Sequence, residues 1–176
     1  FKIPGFLKPF WSDRTKDGGG ILAYVREDIP SKELHRHTFP HDIEGIFFEI
    51  NLRKTKWLLC ATYHPPSQSD NYYFNSLERS LDIYNNFYNN FLLIGDFNSE
   101  ETEPHLSDFL DQYSAKNLVK EKTCFKNANN PSCIDLLITN RCNSFQNTTV
   151  LSTDLSDFHK MVVTALKCNY TRGEPK

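Results

Sequence analysis

Apolar positions recur along this chain with two spacings, and the change from one to the other outlines the elements. Short alternating or continuous apolar runs predict strands at 21–25, at 46–50 within IEGIFFEINLR, at 57–63, 91–94, 132–140, 147–151 and 160–166. The second and third runs are joined only by Arg53 to Lys56, which predicts an antiparallel hairpin. From Asp70 the spacing becomes helical. Phe74, Leu77, Leu81, Tyr84 and Tyr88 share one face, with Ser69 or Asp70 as the cap. That helix leads straight into the 91–94 run, so strand, helix and strand predict a βαβ step. A shorter helix follows Pro104, around Leu106, Phe109, Leu110 and Tyr113. Residues 1–17 are expected to be an irregular lead-in, 29–42 a polar connection, 114–131 a long Lys- and Asn-rich loop, and 169–176 a frayed tail. Strands with interspersed helices place the chain in a layered α/β or α+β class.

Composition narrows the picture. A length of 176 residues favours a single domain, 1–176, with one sizeable core, and 14% aromatic residues argue against disorder. No apolar run approaches the roughly 18 residues that span a bilayer, and FKIPGFLKPF lacks the layout of a signal peptide, so no membrane partner is expected. A net charge of −2 leaves only local basic patches for phosphate: Arg53, Lys54 and Lys56 in one, Lys116, Lys120, Lys122 and Lys126 in another. Five cysteines without CxxC or zinc spacing predict reduced thiols in an intracellular protein.

Candidate chemistry gathers where the strands end. FLLIGDFN is the central stretch: four apolar residues, a glycine that breaks the run, then Asp96 and Asn98. A buried strand ending this way delivers polar side chains to a sheet edge, although an Asx-turn capping the strand explains the same residues. Tyr63 and His64 end another strand, Asp135 interrupts an apolar one, and Asp157 and His159 sit in the loop TDLSDFH. Taken alone, Asp157 reads equally as a turn residue and His64 as a loop residue. Asp135 does not, because a carboxylate inside an apolar strand needs a partner and an imidazole suits it. Gathered at one edge, these groups suit attack of water on a phosphodiester assisted by Mg²⁺ or Mn²⁺, with hard oxygen ligands for the ion and a histidine to stabilise the transition state.

TYHPP, LLIGDFN, SCIDLLITN and LSDFH, in this order and spacing, resemble the endonuclease/exonuclease/phosphatase superfamily. The chain is most similar to the apurinic-endonuclease-like domains that precede reverse transcriptases in non-LTR (LINE-type) retrotransposons. DGGGILAYVRED resembles the same group, and the likeness runs from Asp13 to about Lys167. It implies a four-layer α/β/β/α sandwich of two face-to-face mixed sheets, Mg²⁺-dependent nicking of DNA, a fused or separate reverse transcriptase as partner, and a nuclear location for a retroelement product. By position it implies that Tyr63 contacts the scissile phosphate, Asp96 activates or orients water, Asn98 positions water or phosphate, Thr123 and His64 contact phosphate or DNA, Asp135 orients the histidine, and Asp157 binds metal.

Two departures from the family pattern carry expectations. The family has Asp directly followed by His, whereas here Phe158 intervenes between Asp157 and His159. One extra residue reverses a side chain on a regular strand, so His159 is expected to reach Asp135 through a bulge or shifted loop, with Phe158 turned into the core. Residues 1–26 contain neither the Asn nor the metal-binding Glu of the family's first strands, which predicts missing strands and weakened metal binding. Glu44 and Glu49 are weak substitutes. Against a DNA-nicking enzyme stand a non-catalytic remnant or binding module of the same fold, and a phosphodiesterase acting on lipids or small molecules.

Overall fold

The computed structural model describes residues 2–13, 20–34, 39–40, 43–52 and 54–167. Its centre is a six-stranded mixed sheet. The hairpin is present as β4 (Glu44–Leu52) and β5 (Thr55–Tyr63), antiparallel and in continuous register from Glu44 opposite Tyr63 to Leu52 opposite Thr55. The helix α1 (Asp70–Asn85) then carries the chain back to β6 (Phe91–Asp96), which lies parallel to β5, so the βαβ step forms. Ser69, not Asp70, is the N-cap, its hydroxyl accepting from the Tyr72 amide. Asp70 occupies the first turn, where a carboxylate favours the helix dipole. The second helix, α2 (Pro104–Gln112), starts at the predicted proline.

Three short strands correct the sequence reading. The lead-in contains β1 (Phe10–Ser12), paired antiparallel with β2 (Ile21–Ala23). The polar connection contains β3 (Ser31–Glu33) on the edge of β4, and the long loop contains β7 (Lys116–Asn117). Segments of two or three residues carry no readable period, and only the neighbouring backbone makes them strands. The predicted 132–140 strand is shorter, β8 (Asp135–Thr139), antiparallel to β6. The remaining pair is β9 (Phe145–Leu151) with β10 (Met161–Leu166). The residues from 169 onward lie outside the described ones.

Both faces of the large sheet are apolar, and alternation along each strand assigns them. Phe47, Leu58, Phe91, Leu93 and Ile138 pack with Phe74, Leu77 and Leu81 of α1 and Leu106 and Phe109 of α2. Ile46, Phe48, Trp57, Leu59, Leu92 and Leu137 face the other way, into a cluster joined by Phe10, Ile21, Ala23, Phe145, Val150 and Val162. Trp57 meets Phe145 edge-on at 5.5 Å and Phe10 lies 5.3 Å from Phe48, tying both small strand pairs to that face.

Gly95 fixes how closely β5 and β6 approach at the end that matters. A Cβ built there would overlap the Thr62 carbonyl oxygen, a backbone atom held by the β5 ladder. Gly95→Ala is therefore expected to lower stability by about 3 kcal/mol, the upper end of overpacking costs, in a denaturant titration. An unchanged midpoint would contradict the β5–β6 pairing described.

Candidate active site

Four polar residues line up across the end of the large sheet. Glu44 stands opposite Tyr63, Tyr63 beside Asp96, and Asp96 opposite Asp135, on β4, β5, β6 and β8 in turn. Register neighbours project from one face. Alternation shows which: Ile46, Leu59, Leu92 and Leu137 share the parity of Glu44, Tyr63, Asp96 and Asp135, and all four belong to the cluster away from the helices. The same apolar stripes that fill that face thus end in one polar row.

Asp135 is held from two sides. Its amide donates to the Thr123 hydroxyl at 3.0 Å, and its carboxylate oxygens lie 3.0 and 3.1 Å from Nδ1 of His159. His159 reaches it because residues 123–125 and 158–160 run as a short antiparallel ribbon. The Phe125 amide donates to the Phe158 carbonyl, the Lys160 amide donates to the Thr123 carbonyl, and Cys124 bridges His159. Asp96 ends β6, and its Oδ1 accepts the Asn98 amide at 2.9 Å. Asn98 has φ of 45°, a left-handed conformation asparagine tolerates, and its side-chain amide donates to the His64 carbonyl at 2.7 Å. The Asx-turn of GDFN is therefore formed, and the same Asp96 carboxylate stands in the polar row.

The charges in this row are uneasy neighbours. One ligand atom each from Asp96, Asp135 and His159 lies within 4.8 Å of the others, all three residues half-buried. Burial pushes the Asp96 carboxyl above its usual range, and the nearby Asp135 pushes the same way, while the Asn98 N–H and then His159 and His64 oppose the rise. Two crowded carboxylates are relieved by a cation, and hard oxygen donors fit Mg²⁺ or Mn²⁺. Asp96 and Asp135 would hold such an ion, and it would supply charge neutralisation at a phosphoryl oxygen.

The other residues singled out in the sequence are placed differently. Tyr63 is half-buried within the row. His64 is not a phosphate contact: with the parity that faces the helices, it is 1% exposed, its ring stacked on Tyr73 at 4.2 Å and its nitrogens 2.8 and 3.1 Å from the carbonyls of Phe97 and Gln68. Thr123 is likewise buried, its hydroxyl accepting from the Ile134 and Asp135 amides, so it supports Asp135 rather than touching a ligand. Asp157 sits on the exposed loop and does not join the Asp96, Asp135 and His159 group. Phe158 corrects the expectation of a core residue. It is 50% exposed, because the ribbon alternates and His159 takes the inward position.

Two residues of this neighbourhood were undervalued in the sequence. Glu44 is buried in the row, its Oε2 accepting the Gly20 amide at 3.0 Å, and its register with Tyr63 was the available signal. Cys124 places its sulfur 3.7 Å from Nε2 of His159, a contact that no sequence spacing reveals.

No family model matches the sequence, and no curated protein matches it either. Solved structures do match. The endonuclease domain of TRAS1, a telomere-specific non-LTR retrotransposon, superposes with a TM-score of 0.72 at 16% identity, covering 92% of this chain and 79% of that one. The human Nocturnin catalytic domain matches with a TM-score of 0.64 at 12% identity over 91% of this chain and 72% of its own. The 3'-5' exonuclease NExo from Neisseria meningitidis matches at 0.63 and 12% identity, covering 92% and 80%. Proteins described as endonuclease/exonuclease/phosphatase family members match as well, one from Leptotrichia buccalis at 0.62 and 14% identity, covering 91% and 70%. Two apolar sheet faces, a parallel β5–α1–β6 crossover and a polar row across the strand ends thus belong to a chain with the fold of the endonuclease/exonuclease/phosphatase superfamily.

Proposed function

We propose that this chain is a metal-dependent phosphodiesterase that nicks DNA, of the retroelement endonuclease type. The observation that carries the reading is the convergence of Asp96, Asp135 and His159, separated widely in sequence, on one edge of this fold. In this reading Asp96 orients the attacking water and accepts its proton, aided by Asn98. Asp135 fixes the His159 ring through Nδ1, so that the protonated ring presents its Nε2–H to stabilise charge on phosphorus-bound oxygen. Water adds to phosphorus as the bond to the leaving sugar oxygen breaks, and that oxygen takes a proton from solvent. Tyr63 is assigned to the phosphate, and Asp96 with Asp135 to the metal, while His64 and Thr123 position backbone. One apolar cluster packs α1 and α2 on the large sheet and the other packs the two small strand pairs on its opposite face, which supports the face-to-face sheets of this family reading.

Supercoiled plasmid incubated with Mg²⁺ is expected to be converted to the nicked form, and chelation to stop the conversion. His159→Ala is expected to lower kcat by about 10²–10⁴-fold, the usual contribution of a positioned acid or base. Equal rates in the variant and the parent, or no nicking by either, would overturn the assignment.

The electrostatics make a separate prediction on metal-free protein. A folded-state carboxyl raised above its unfolded value of 3.8 costs stability once it ionises, so the cost is absent below that pH and grows as pH rises through the folded pKa. Asp96→Asn is therefore expected to raise Tm by a few degrees at pH 7 and to match the parent in acid, while nicking is lost. A variant less stable than the parent at pH 7 would contradict the strain ascribed to Asp96.

A further inference from the structure

The ring of His159 has two edges, and only one is accounted for by Asp135. The antiparallel bridge between Cys124 and His159 sets their side chains on one side of the ribbon, which brings Sγ to 3.7 Å from Nε2. Because Nδ1 faces both oxygens of Asp135, the neutral ring carries its proton on Nδ1 and donates there, so the lone pair of Nε2 points at the sulfur. A carboxylate behind an imidazole whose far nitrogen is free to bind is the arrangement that orients histidine ligands in metal proteins.

We propose that Cys124 and His159 form a second metal site, for a soft divalent cation such as Zn²⁺, on the edge of the ring away from Asp135. The spacing fits without rearrangement. Bonds of about 2.3 Å to sulfur and about 2.0 Å to nitrogen at a tetrahedral angle place the two atoms roughly 3.6 Å apart. Thiolate and imidazole select Zn²⁺ or Cd²⁺ over Mg²⁺, so the two sites do not compete for the same ion. The His159 side chain is 35% exposed, which leaves room for solvent to complete the coordination shell. On binding, the Cys124 S–H bond is replaced by a sulfur–metal bond and the proton passes to solvent. An ion there occupies the Nε2 edge that the hydrolytic reading leaves for phosphate, and so inhibits. The site itself rests on geometry, and only the inhibition rests on that reading.

Cd²⁺ serves as the probe, because a thiolate–cadmium bond gives an ultraviolet charge-transfer band that is read without any activity. The full chain is expected to bind one equivalent with such a band. Cys124→Ser should abolish it, His159→Ala should weaken binding at least about tenfold, and Cys133→Ser should leave it intact, with far-ultraviolet circular dichroism confirming the fold of each. No band in the folded parent, or an equal band in Cys124→Ser, overturns the site. Zn²⁺ added to Mg²⁺-supported nicking should then inhibit the parent and spare Cys124→Ser. Cadmium binding without zinc inhibition would uphold the site and overturn the role given to His159.

Discussion

Strand register is the constraint on which this structure depends. Asp96 can meet Asp135 only because β6 and β8 pair with those two residues opposite each other, and Tyr63 and Glu44 extend the row only because β5 and β4 keep the same phase. A slip of one residue on any of these strands would send its polar side chain toward the helices and bring an apolar one to the site. The hydrophobic stripes on both faces of the sheet enforce the phase, so the core energetics and the site geometry are one specification. Gly95 lets β5 and β6 come together at the end where that phase is used.

Around that row, buried polar groups are spent on holding backbone. His64 connects the end of β5 to the turn after β6 through its amide, its ring and its carbonyl, which reach Asp96, Phe97 and Asn98 respectively. Thr123 does the same for the start of β8 with one hydroxyl accepting two amides. Both are nearly sealed from solvent, and an unpaired polar group there would cost about 1–3 kcal/mol, which favours this one arrangement over its neighbours. The carboxylates are left half-exposed with their charges crowded, a state suited to a cation rather than to stability.

Long, strongly patterned elements were legible in the sequence: the hairpin, α1 with its cap, the βαβ step and β8, although Asp135 begins that strand instead of interrupting it. What escaped was decided by partners distant in the chain. β1, β3 and β7 are strands only because a neighbour's backbone pairs with them. Burial of His64 and Thr123 follows from parity and from a loop crossing, neither of which their neighbours in sequence express. The extra residue at Phe158 signalled a problem of direction correctly. Its resolution came from the 123–125 ribbon, which turned Phe158 outward and His159 inward. Cys124 gained its neighbour by the same crossing.

The central claim is that residues far apart in the chain build one cation-binding pocket at the end of the large sheet. Paramagnetic broadening by Mn²⁺, followed in backbone amide NMR spectra, tests it most directly. Selective loss of signals from 95–98, 134–136 and 158–160, reversed by excess Mg²⁺ and abolished in Asp135→Asn, is the predicted result. Broadening spread over unrelated surface carboxylates, or centred elsewhere and unaffected by that substitution, would contradict the account.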